Sequence, residues 1–148
     1  MFFEYAEFTD YNDVAISIRE MYIRGAPAIG AAGGFGMALA ARQSNATNKE
    51  ALLQDLEVAA EVLRATRPTA VNLFWGIERM LRVATDEELE YVDDIRQAIL
   101  EEAQRLADED VEINKRMALN GAALVKEGDT ILHHCNTGSL ATVDFGTG

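Results

Sequence analysis

The sequence predicts a mainly α fold with short β-strands, and three observations lead there. Apolar residues recur three, four and seven apart over most of the 148 residues, the spacing of a buried helix face. Glycine, proline and short polar runs cut that pattern into successive segments. A short stretch near each end lacks the helical period and carries aromatic or β-branched residues between turn signals. The length suits one domain, in which roughly two-thirds of the unfolded surface can be buried.

Residues 2–8 carry Phe3, Tyr5 and Phe8 in loose alternation and read as a short strand. Asp10 is placed to cap a helix over 11–22, with Val14, Ile18 and Met21 on one face. Gly25 interrupts the pattern, and Pro27 opens a second helix where its missing N–H costs nothing. That helix runs to about Arg42. It contains Gly30, Gly33, Gly34 and Gly36, each about 1 kcal/mol worse than alanine in a helix interior, so close packing against a neighbour is expected to compensate. A polar loop over 43–47 precedes a third helix over 48–65, which buries Leu52, Leu56, Ala59 and Leu63. Arg67 and Pro68 end it, and Thr69 is the expected cap for a fourth helix over 70–84, with Phe74 and Trp75 in the core. The longest periodic segment, 86–126, places Val92, Ile95, Ile99, Leu106, Ile113, Met117 and Leu124 on one stripe. After a turn at 127–129, Thr130-Ile131-Leu132 reads as a strand leading into a Gly-containing loop. A strand followed by such a loop is where an α/β layer begins. The expected division is therefore a helical domain over 1–128 and the truncated start of an α/β domain over 129–148, a front portion of a larger protein.

Thirteen basic residues face 25 acidic ones, a net charge of −12. That argues against nucleic acid, which calls for a basic stripe, and against an anionic membrane surface. An anionic ligand would be opposed by the overall field and would need local capture by a few arginines. One cysteine permits no internal disulfide and fits a cytoplasmic location. The start is acidic and lacks the basic region of a signal peptide, and the uncharged run Gly25–Ala41 is too short and too rich in Gly and Ala to span a bilayer.

Cys135 lies between His134 and Asn136, ahead of Thr137-Gly138-Ser139. Ser139 is placed to cap a helix whose amides would face the loop. A thiol near such an N-terminus and an imidazole becomes a better base or nucleophile, whereas most free cysteines are small buried hydrophobes. Both readings stand on spacing alone. His133 and His134 are neighbours, so in extended backbone only one of them can face a site there. No third ligand accompanies them, and no metal is expected. Arg24-Gly25-Ala26-Pro27 sets a guanidinium and free amides at a helix start, suited to phosphate or to a plain interhelical turn. Arg67 could hold a phosphate or sugar oxygen bidentately, or be an ordinary exposed arginine at a helix boundary. A dinucleotide fingerprint fits poorly, because no strand leads into the glycines. Asp108, Glu109, Asp110 and Glu112 form a solvated acidic run with no expected chemistry.

Three segments taken together resemble one family. IRGAPAIGAAGGFGMALA, TRPTAVNLFWGIERM and ILHHCNTGSLATVDFGT are similar, in order and spacing, to motifs of the methylthioribose-1-phosphate isomerases, and the likeness covers nearly the whole chain. The resemblance implies aldose–ketose isomerisation of 5-methylthioribose 1-phosphate to 5-methylthioribulose 1-phosphate in methionine salvage, with no cofactor or metal. It implies a helical N-terminal domain joined to a Rossmann-like C-terminal domain, here mostly absent, and a homodimer at full length. It assigns catalysis to Cys135 and substrate binding to Arg24, Gly25, Ala26 and Arg67. The family's catalytic aspartate lies in the C-terminal domain, and no segment here matches it, so the chain alone is expected to be inactive. His133 stands where the family usually has threonine, with little effect expected. Two related readings are a ribose-1,5-bisphosphate isomerase and a non-catalytic module akin to the regulatory subunits of the translation-initiation exchange factor. Retention of Cys135, Arg24 and Arg67 together favours an enzyme.

Overall fold

A computed structural model describes residues 4–147. Five α-helices follow one another: α1 (Tyr11–Arg19), α2 (Ala26–Gln43), α3 (Lys49–Arg64), α4 (Val71–Ala84) and α5 (Val92–Ala122), with a single 3₁₀ turn at Ser139–Ala141. Asp10 caps α1 by accepting from the Asn12 amide at 2.7 Å, and that bond lowers its carboxyl below the usual range. Asn48 caps α3 in the same way through the Ala51 amide. Neither α2 nor α4 has a side-chain cap; Pro27 opens the first, and α4 begins after Ala70 rather than at a Thr69 cap.

Helix α2 is the hub, packed against α4 most extensively and also against α5, α1 and α3. Its composition explains this. A helix apolar on every side belongs in the centre, and small residues let neighbouring backbones come close. Ile29, Met37, Ala40 and Ala41 are buried, together with Gly30, Gly33, Gly34 and Gly36. The tightest crossing is with α4, where a Cβ on Gly76 would overlap the Gly30 carbonyl. Leu52, Leu56, Leu63, Leu73, Ile77, Met80, Ile95 and Ile99 complete the core at 0% exposure, and burial of each large side chain contributes about 1.5–3 kcal/mol. Arg96 on α5 ties down the end of α2 by donating to the carbonyls of Ala41 (3.0 Å), Ser44 (2.7 Å) and Ala46 (3.2 Å).

The expected fold class needs correction. No strand occurs among the described residues, so the described chain is all-helical rather than mainly α with short β-strands. Of the strand expected over 2–8, residues 2 and 3 lie outside the described residues, and 4–8 form none. Residues 130–132 are likewise without strand structure. The reason is pairing: a β-strand exists only against a partner that accepts its ladder hydrogen bonds, and neither stretch has one here. Three further expectations shift. The first helix ends at Arg19, because the amides of Tyr22 and Met21 fold back onto the carbonyls of Ser17 (2.9 Å) and Ile18 (3.3 Å), with Met21 at φ 63°. Met21 is thus half exposed rather than core. Trp75 is 50% exposed and lies beneath the Arg79 guanidinium, 5.6 Å from ring centroid to Cζ. The apolar stripe of α5 outlasts the core: Ile95, Ile99 and Leu106 are buried, while Ile113 and Met117, and Leu124 beyond the helix, are exposed. No helix among the described residues is long and apolar enough to cross a membrane.

Candidate active site

The C-terminal segment folds back onto the helices as a closed loop. The Thr147 amide donates to the Thr137 carbonyl at 2.9 Å, and the Thr142 hydroxyl donates to the Asp144 carbonyl at 2.8 Å while accepting from the Gly146 amide. Two contacts dock this loop. Gly25, the N-cap of α2, is buried beneath Ala141, so closely that a Cβ there would overlap the Ala141 backbone. Asp110 on α5 accepts from the Val143 amide at 2.8 Å. One member of the acidic run is therefore an anchor for the loop, and Glu109 is bound by Arg79.

Docking creates an open cleft of about 500 Å³, lined by Arg24, His133, Cys135, Asn136 and the 137–141 loop. Residues from opposite ends of the chain meet here. Arg24 is exposed, and no ion pair occupies it among the described residues. Cys135 is exposed, which excludes the reading of a buried hydrophobe. Its backbone sits at φ 67°, a left-handed conformation that costs a non-glycine residue about 1–2 kcal/mol. Strain of this kind clusters at binding and catalytic positions. Only one of the two histidines lines the cleft, and it is His133; its Nδ1 lies 3.2 Å from the Thr137 hydroxyl. No carboxylate among the described residues lines the cleft, in a chain of net charge −12.

The other expected site residues fall elsewhere. Gly25 meets protein backbone rather than open space, and Ala26 is exposed at the start of α2 outside the cleft lining. Arg67 is not among the lining residues; its Nη1 is buried and lacks a hydrogen-bond partner among the described residues. A buried unpaired donor costs about 1–3 kcal/mol, so this nitrogen is suited to an acceptor from a ligand or from further protein. Ser139 is the first residue of the 3₁₀ turn and not its cap, which is Gly138. Sequence reasoning gave no site role to Asn136 or Thr137, polar loop residues whose only sequence signal was proximity to Cys135. No cluster of three or more His, Cys, Asp or Glu suited to a metal occurs among the described residues.

A five-helix domain built around a glycine-rich central helix, with a polar loop docked at that helix's start, defines a helical domain that presents a loop-built cleft. The model of the initiation factor 2 subunit family matches residues 22–144, which span both the helices and the loop. The chain belongs to that family. It is 50% identical over 143 residues to the methylthioribose-1-phosphate isomerase of Geotalea uraniireducens, covering 97% of this chain and 41% of the relative. It is also 50% identical to the putative methylthioribose-1-phosphate isomerase of Pyrococcus horikoshii, covering 98% of this chain and 40% of that one. Among solved structures, 5-methylthioribose 1-phosphate isomerase from Pyrococcus horikoshii superimposes with a TM-score of 0.90 at 49% identity, over 98% of this chain and 40% of its own. The delta subunit of translation initiation factor eIF-2B from A. fulgidus superimposes with a TM-score of 0.84 at 45% identity, over 97% and 42%. The chain thus spans about two-fifths of the length of these relatives.

Proposed function

We propose that this chain is the substrate-capturing helical part of an aldose–ketose isomerase that converts 5-methylthioribose 1-phosphate to 5-methylthioribulose 1-phosphate in methionine salvage. One observation carries the reading: Arg24 and Cys135, remote in sequence, line one cleft free of carboxylates. The names and the 50% identity of the relatives support it. Residues 1–128 form the helical domain in this reading, and 129–148 lead into a second domain supplied by the remaining length seen in the relatives. The complete enzyme is a cytoplasmic homodimer.

The chemistry assigns parts to these residues. The anomeric oxygen carries the phosphate, so the ring cannot open as a free hemiacetal does. An acid must protonate the ring oxygen as the C1–O bond breaks, and that acid belongs to the second domain. The Cys135 thiolate takes the proton from C2 to leave a C1=C2 enol; the C2 hydroxyl then gives up its proton as another is delivered to C1, and C2 becomes the carbonyl. Arg24 holds the phosphate, and Arg67, outside the cleft lining, offers its unpaired nitrogen to an acceptor supplied by the second domain.

The test is reconstitution. The chain is mixed with the C-terminal region of the Geotalea relative that it does not cover, and ketose formation from 5-methylthioribose 1-phosphate is followed. Turnover that needs both pieces is expected; a folded mixture without turnover overturns the enzyme reading and favours a regulatory module. Running the reaction in D2O adds a second arm. Deuterium at C1 of the product excludes hydride transfer and supports the thiolate base, whereas full retention of the C2 hydrogen fits hydride transfer or return of the same proton by a shielded base.

A further inference from the structure

We infer that His133 is a second anion-binding group of the cleft, a protonation-dependent partner of Arg24 for a dianionic phosphate ester. The inference rests on the proposed phosphate site and adds a group to it. His133 is a departure from the resembling family's usual threonine, and the sequence gave it no weight. The cleft changes that. Arg24 and His133 line it together, and the titratable groups along its walls are these two and Cys135. With no carboxylate among the described residues in the lining, Cys135 is the one lining group that can compete with a bound anion for the ring. Thr137 holds the ring by Nδ1 at 3.2 Å. With the hydroxyl donating to Nδ1, the neutral ring keeps its proton on Nε2. Once protonated, both nitrogens donate. The net charge of −12 opposes an incoming anion, so capture falls to the local cations of the cleft. A protonated imidazole carries a charge that the neutral ring lacks, so capture by this cleft weakens as the ring loses its proton.

The experiment uses the 148-residue chain and sulfate, a dianion whose own charge does not change over this range. Binding is measured by NMR titration between about pH 5.5 and pH 8 for the native chain and for His133→Thr, His133→Gln, His134→Gln and Arg24→Ala. Affinity in the native chain is expected to fall roughly three- to fivefold across the window, the scale of one exposed charge contact. The fall should persist in His134→Gln and vanish in both His133 variants, whose affinity at every pH should match the native chain at high pH. Arg24→Ala should weaken binding at all pH values. Sulfate binding that depends on Arg24 but has the same pH profile with and without His133 overturns this inference and leaves the phosphate site standing. Absence of binding at any pH, or binding indifferent to Arg24, overturns both.

Discussion

An added methyl group at Gly25 would collide with the backbone of Ala141, so this residue governs whether the loop can sit on α2 at all. Gly25→Ala should therefore leave the helices folded and loosen the loop. Overpacking costs of at least about 1 kcal/mol predict that amide exchange at Ala141 and Thr142 accelerates roughly fivefold or more, as measured by hydrogen–deuterium exchange. At Cys135, replacement by serine keeps the size of the side chain and removes the thiolate. Cys135→Ser should abolish turnover in the reconstituted enzyme while leaving substrate affinity within about twofold, read by separate kcat and binding measurements. Arg24→Lys retains charge but loses the planar fork, and should weaken substrate binding several-fold by calorimetry. Normal binding by that variant would remove the phosphate role from Arg24.

The crossing of α2 and α4 depends on two glycines whose backbones touch. A methyl at Gly76 would press on the Gly30 carbonyl, and backbone cannot move aside as a side chain can. Gly76→Ala should destabilise the chain by about 2–3 kcal/mol in urea denaturation, despite alanine's better helix propensity. The helices themselves were legible in the sequence. Leu52, Leu56, Ala59 and Leu63 form the buried face of α3 as their spacing predicts, and the four glycines of α2 are compensated by close packing as expected. What misled was context. Met21 continues the apolar spacing of α1 yet lies past its end, because the backbone turn at Met21 satisfies the last carbonyls before the pattern runs out. Trp75 continues the pattern of α4, but its ring serves as a platform for Arg79 at the surface.

The molecule as a whole couples α4 to α5 through charge as well as through apolar burial. Arg79 pairs with Glu102 and Glu109, and the first of these carboxylates is only 10% exposed. Hydrogen bonding to Arg79 lowers the Glu109 carboxyl below its usual value of 4.5. A carboxyl lowered in the folded state stabilises the protein above its unfolded value and loses that contribution as pH falls through the folded one. Stability should thus decline from about pH 5 toward pH 3, with a Glu109 share below about 1 kcal/mol because the group is half exposed. Arg79→Met should flatten that decline in thermal melts across pH. It should also destabilise the chain by about 2 kcal/mol at neutral pH, since Glu102 would retain only the more exposed Arg105.

The helical elements and their buried faces follow from local information, because an α-helix satisfies its own hydrogen bonds within a few residues and its apolar period is written in the chain. The motifs around Arg24, Arg67 and Cys135 were equally visible as residue types in order. Two things waited for the tertiary structure. Whether 130–132 would be a strand depends on a partner elsewhere, and a strand's hydrogen bonds cannot close within its own segment. Which residues share the cleft depends on Gly25 admitting Ala141 and on Asp110 holding Val143, contacts between distant parts of the chain. Those contacts brought Arg24 to Cys135, added His133, and left Arg67 apart with an unpaired nitrogen.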